Sequence, residues 1–179
     1  MNKTSASGFT LLEIMLVVVL IAGMAMLAVG TRPGNDDSEK LALSLAKSLD
    51  SRAEQAMLDG QLYGAFLYSN GMDIYQLSLQ PNQGVQSHAW PGYRWQKVPL
   101  ARRNRPFRLP EGWSLDLVIE GQPVPLAPYP QHPARDPVLV FFPGGESSDF
   151  QIALNHNGAT RYLVMPVDGY IVHRSGRQP

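Results

Sequence analysis

The 179-residue chain has no cysteine. That excludes disulfides, thiolate metal sites and a cysteine nucleophile, so an exported domain of this sequence must hold itself by core packing. Net charge is absent too, because 15 Lys and Arg balance 15 Asp and Glu. No global field therefore favours nucleic acid or an acidic surface. The four histidines, His88, His132, His156 and His173, are far apart, and H-E-x-x-H, G-x-S-x-G and a phosphate loop are all missing. Pro143-Gly144-Gly145-Glu146 reads as a turn, since no helix with Lys-Ser/Thr follows it. No catalytic set meets the geometry chemistry needs, and no acidic cluster has the spacing of a metal site. The expectation is a chain that is not an enzyme and has no cofactor and no metal. No unit recurs at a fixed period.

One further absence is local. From Ile14 to Thr31 there is no charged residue. Counted from Phe9 to Val29 the apolar run is about 21 residues, or about 31 Å of helix at 1.5 Å per residue, close to the hydrocarbon thickness of a bilayer. Just inside its start stands Glu13. A carboxylate within the membrane costs about 2.5–3.5 kcal/mol on insertion scales, so Glu13 needs a partner or a purpose. Small residues, Ala6, Ser7 and Gly8, precede the run, the reverse of an ordinary secretory signal. A cut after Gly8 leaves the hydrophobic helix on the mature chain and creates a cationic terminus on Phe9, one helical turn from Glu13.

The order Gly8-Phe9-Thr10-Leu11-Leu12-Glu13 followed by an apolar helix resembles the processing site of type IV prepilins and type II secretion pseudopilins. The resemblance implies cleavage between Gly8 and Phe9 by a prepilin peptidase, then N-methylation of Phe9 by the same processing system. It also implies that Glu13 docks a subunit into a growing fibre by pairing with a neighbour's terminal amine. The leader, residues 1–8, departs slightly from the pattern, with Lys3 as its only basic side chain.

Beyond residues 9–31, Arg32-Pro33-Gly34 breaks the helical pattern as the chain leaves the membrane. Leu41, Leu45 and Leu49, widened by Ala42, Ala46, Ala53, Ala56 and Met57, predict an amphipathic helix over about 37–59, with Asp36, Asp37, Ser38 and Glu39 supplying its cap and first-turn acids and Gly60 ending it. From about residue 62 the period changes to that of strands. Runs at 62–69 and 72–79 flank Asn70-Gly71, the strongest short hairpin signal in the chain. Further strands are expected at 93–98, 113–119, 138–142, 150–154, 161–165 and 170–173, with turns at Asn157-Gly158 and Asp168-Gly169. Six prolines between Gln122 and Pro137 exclude a central strand there and suggest a long exposed connection. The fold class is α+β: a long N-terminal membrane and amphipathic helix packed on an antiparallel, sandwich-like, pilin-like head spanning residues 32–179.

The stretch Phe142-Pro143-Gly144-Gly145-Glu146-Ser147-Ser148 between apolar strands, with Leu45 to Met57, is similar to the H-type minor pseudopilins of type II secretion. That resemblance implies a single-pass protein of the bacterial inner membrane with its head in the periplasm, and as partners the other minor pseudopilins, the major pseudopilin and the prepilin peptidase. Arg94, Lys97, Arg102, Arg103, Arg105 and Arg108, interleaved with Trp95 and Phe107, form the one sizeable basic run. It reads as a solvated loop, or one docking an acidic neighbour, rather than a nucleic-acid site. The alternative reading is a minor pilin of a type IV pilus with a role in assembly or DNA uptake, using Arg174 and Arg177. An anchored periplasmic enzyme is disfavoured.

Overall fold

Alanine and leucine recur every three or four residues from Leu41 to Ala56, and that periodicity builds the longest described helix. The computed structural model describes residues 13–21, 35–79, 83–98, 106–129 and 136–176. The chain divides into two compact units, Met1–Asn35 and Asp36–Pro179. In the first, α1 is helical over residues 13–21, and its large apolar side chains from Ile14 to Ile21 are all exposed. The expected break at Arg32-Pro33-Gly34 lies outside the described residues.

Helix α2 spans Asn35–Asp59 and is composed mostly of strong helix formers. Ala42, Leu45, Ala46, Leu49 and Ala56 are buried on one face. The alanines leave little between the helix backbone and the sheets it covers. The helix begins at Asn35, so Asp37 and Ser38 lie in its first turn; Asp37 meets Lys40 at 3.7 Å on the surface. At the other end Gly60 takes φ 63°, and the Gln61 N–H donates to the Ala56 carbonyl at 3.3 Å. This is a Schellman ending, which only a residue tolerant of the left-handed region closes without strain.

Eleven strands follow among the described residues: β1 Tyr63–Tyr68, β2 Gly71–Ser78, β3 Val85–Gln86, β4 Arg94–Lys97, β5 Phe107–Arg108, β6 Trp113–Ile119, β7 Gln122–Val124, β8 Leu139–Phe141, β9 Phe150–His156, β10 Ala159–Val167 and β11 Tyr170–Ser175. They form two antiparallel sheets. The first has the order β3-β4-β2-β1-β8, with β5 also pairing β2; the second has the order β11-β10-β9-β6-β7. Phe150, Ile152 and Leu154 from β9, Leu115 and Leu117 from β6, and Val164 from β10 meet Tyr63, Ala65 and Leu67 of β1 beneath α2 in one apolar core. The Ser69 carbonyl accepts the Leu115 N–H at 2.8 Å, a direct tie between the β1–β2 turn and β6.

Two expectations change. The first hairpin forms, but Tyr68 pairs with Gly71, so the turn residues are Ser69 and Asn70 and Gly71 opens β2. Here the glycine serves close approach, since a Cβ would stand 2.5 Å from the Phe107 carbonyl oxygen. Asn157-Gly158 and Asp168-Gly169 do form turns with positive φ at both residues, and Glu120-Gly121 makes a third of the same kind. The described part of the proline-rich stretch, residues 122–129 and 136–137, is no free connection. Gln122–Val124 is an edge strand with Pro123 opposite Val118, as an edge allows. Val124 and Leu126 pack against the core, and the Ala127 carbonyl accepts the Ser69 N–H at 2.9 Å.

Candidate assembly site

Glu13 is the first described residue of α1, and the eight side chains after it are apolar and exposed. A helix apolar all round is stable in water only when something else covers it, either lipid or other helices. Gly8 and Phe9, the expected processing pair, lie outside the described residues. No described helix is long and apolar enough to cross a membrane. The chemistry available in α1 is therefore a carboxylate at the head of a greasy rod, a group that can accept a cation.

The head carries a second carboxylate that sequence reasoning missed. Asp73, on β2, is buried, and two cations reach it: Arg108 Nη2 at 2.6 Å and Lys97 Nζ at 2.9 Å. Arg108 also donates to the Met72 and Phe107 carbonyls and lies 3.8 Å over the ring of Tyr129. Tyr129 in turn packs edge-on against Tyr68, and its N–H donates to Asn70 Oδ1 at 2.8 Å. A buried charge is tolerable when paired and hydrogen-bonded, and here both conditions hold. The described part of the basic run is thus no solvated loop. Lys97 and Arg108 converge on one buried acid, and the Arg94 Nε–H donates to the Gly84 carbonyl at 3.4 Å. Arg102, Arg103 and Arg105 lie outside the described residues.

Asp136, at the end of the proline-rich stretch, organises the opposite end of the same sheet face. Its carboxylate accepts from Ser87 Oγ at 2.5 Å, Trp95 Nε1 at 2.7 Å, and the N–H groups of His88 and Ala89 at 2.9 and 3.0 Å. Partial burial pushes the acid up, but these bonds outweigh it and hold the pKa below the ordinary carboxylate range. Next to it, Pro137 sits on Gly64 of β1, where a Cβ would lie 2.3 Å from the proline ring. Trp95, fully buried, joins Phe66, Tyr68, Tyr75 and Leu77 in an aromatic cluster on the outer face of the first sheet, with Trp90 edge-on at 5.8 Å. The signal for Asp73 was present: an acid inside an apolar strand, in a chain with an unexplained basic run. Asp136 gave no comparable signal.

The histidines stay apart, with His156 stacked on Trp113 at 4.5 Å and His173 near Tyr162 at 5.9 Å; His132 lies outside the described residues. Among the described residues no group of three His, Cys, Asp or Glu could hold a metal. Pro143 to Glu146 is a turn, closed by the Gly145 N–H on the Phe142 carbonyl at 3.0 Å. Of the two arginines on which the DNA-uptake alternative rests, Arg174 is exposed on β11 and Arg177 lies outside the described residues.

A long helix laid over two antiparallel sheets, with an acid-headed apolar helix before it, defines a pilin-like subunit. The fold is that of minor pseudopilin heads. The crystal structure of the minor pseudopilin EPSH from the type II secretion system of Vibrio cholerae matches with a TM-score of 0.60 at 22% identity, covering 80% of this chain and 98% of that one. The solution structure of E. coli GspH matches at 0.53 and 16% identity, covering 81% and 96%. No family model matches the chain. In sequence it is 32% identical over 154 residues to type II secretion system protein H of Pectobacterium carotovorum subsp. carotovorum, covering 81% of this chain and 79% of the relative. It is 31% identical over 179 residues to the protein H of Pseudomonas aeruginosa, covering 95% of each. The chain belongs to the type II secretion system protein H family.

Proposed function

We propose that the chain is a minor pseudopilin, a structural subunit incorporated near the tip of the periplasmic pseudopilus that drives folded proteins across the outer membrane. The observation that carries this is family membership over nearly the whole chain, with the acid-headed apolar helix in the place such a subunit needs it. Before assembly the chain sits in the inner membrane by the apolar run, with its head in the periplasm. Cleavage between Gly8 and Phe9 frees an amine, which is then methylated. In the fibre, Glu13 pairs with the amine of a neighbouring subunit, so that a carboxylate unfavourable in lipid meets a cation there. The other minor pseudopilins and the major pseudopilin are its partners. Its role is structural, with no catalytic step of its own.

Glu13→Leu tests the pairing. Membrane insertion should persist, because the run becomes more apolar, while incorporation into fibres and secretion fall. Normal secretion by that variant would exclude the pairing role. Gly8→Leu should leave a precursor eight residues longer, visible as a slower band on a gel.

A further inference from the structure

Six large apolar side chains are exposed on the described head; two of them, Met57 and Tyr170, line one cleft at the C-terminal end of α2, and Leu58 follows Met57 on the helix. Met57 and Leu58 are 50% and 85% exposed, and Tyr170 at the start of β11 is 69% exposed. Met57 and Tyr170 stand on opposite walls of a cleft of about 320 Å³ between α2 and the β10–β11 turn. The cleft is also lined by Asp50 and Glu54 of α2 and by Asp168 of the turn, and no lining residue is basic. Its width is fixed by a tether, since Asp50 Oδ1 accepts the Ile171 N–H at 3.0 Å and so ties the helix to the strand. Asp168 is held in place by a turn in which it takes φ 51°.

An exposed apolar cluster of this kind marks an interaction surface, and the charges define what it takes. Asp50 and Glu54 are four residues apart on one helix, an arrangement in which like charges repel. A cation placed between them and Asp168 relieves that repulsion. An arginine or lysine offers that cation on an apolar stem that would lie along Met57, and its charged head can face the tyrosine ring. A purely apolar partner would leave three carboxylates facing it, and a free metal ion would make no use of Met57 or Tyr170.

We infer that this cleft is a docking socket for an arginine- or lysine-bearing segment of a neighbouring pseudopilin, an inference that rests on the fibre-subunit reading above. The test uses the full-length chain, expressed with the other pseudopilins, with the photocrosslinking residue p-benzoylphenylalanine in place of Leu58. The expected adduct joins it to another pseudopilin at a peptide containing Arg or Lys. Its yield should fall about tenfold, the equivalent of about 1.4 kcal/mol, in the double variant Glu54→Lys with Asp168→Asn. Glu54→Gln, an exposed change that leaves the turn untouched, should give a smaller fall. Changing the partner's basic residue to Glu should restore the adduct to the Glu54→Lys chain. An adduct indifferent to these charges, one to a second copy of this chain, or no adduct from a chain that co-purifies with the major pseudopilin overturns the socket alone. A chain that never enters fibres overturns the fibre reading and the socket together.

Discussion

The two sheets share one core but differ on their outer faces. On the first sheet that face is covered by the chain itself: Trp90, Trp95 and Tyr129 lie over it, Pro137 rests on Gly64, and Asp73 and Asp136 hold the covering segments down. On the second sheet the outer face carries Asp116 and Gln151 beside partly exposed Ala153, Leu163 and Met165, with Asn155 bridging to Asp116 at 2.7 Å. One sheet is buried on both sides, the other on one. A strand buried on both sides must account for every polar group it carries, which is why the acid on β2 draws two cations while the acid on β6 is served by an amide.

The contrast can be broken by truncation. Trp95→Ala removes a fully buried indole and the donor to Asp136, and should cost about 3–5 kcal/mol in urea melts followed by circular dichroism. Leu163→Ala, on the outer face of the second sheet, should cost about 1 kcal/mol or less. Equal losses would mean that the covering layer contributes no more than a surface.

Alkali probes the same layer without mutation. Tyr68, through burial first and then the Asp73 charge, has its pKa pushed up to about 12; Tyr63, through burial and its bond to Asp59, reaches about 12 as well. A raised folded pKa gives stability that is whole below the ordinary tyrosine value of about 10 and is lost as the pH climbs through about 12. The head should therefore unfold steeply between about pH 10 and 12, with tyrosinate absorbance and ellipticity changing together. In Tyr68→Phe the slope in that window should be shallower by up to about one proton. An unchanged slope would mean that Tyr68 ionises without opening the layer.

The finest comparison sets one acid against the other. Asp73→Asn leaves Arg108 and Lys97, each partly solvated, beside a neutral amide, and should cost about 2 kcal/mol. Asp116→Asn should change stability by about 0.5 kcal/mol or less. Reversal of that order would place the critical polar tie on the wrong sheet.

The same contrast explains what could be read from the sequence. On the second sheet, β9 alternates in and out from Phe150 to Leu154 and is followed by Asn157-Gly158, so period and turn chemistry agree, and Asp168-Gly169 marks the end of β10. α2 was legible for a like reason, with its apolar stripe bounded by Gly60. β1 is different. All six of its residues are buried, so alternation says nothing of which neighbours they meet. β3, β5 and β7 are two or three residues long and exist through pairing alone, beneath the reach of any pattern. The pairing of Lys97 and Arg108 with Asp73 was missed because a basic run looks solvated until its buried acid is found. The assembly site proposed above rests on the residue types and their order from Gly8 to Glu13.

The Asp136 contacts span 41 to 49 residues of chain, distances over which many exported domains would place a sulfur bridge. This one joins remote segments with a carboxylate and four donors. Such a tie forms as soon as the groups meet and waits for no oxidant or isomerase, so maturation of the head should run at the same rate in reducing and oxidising surroundings.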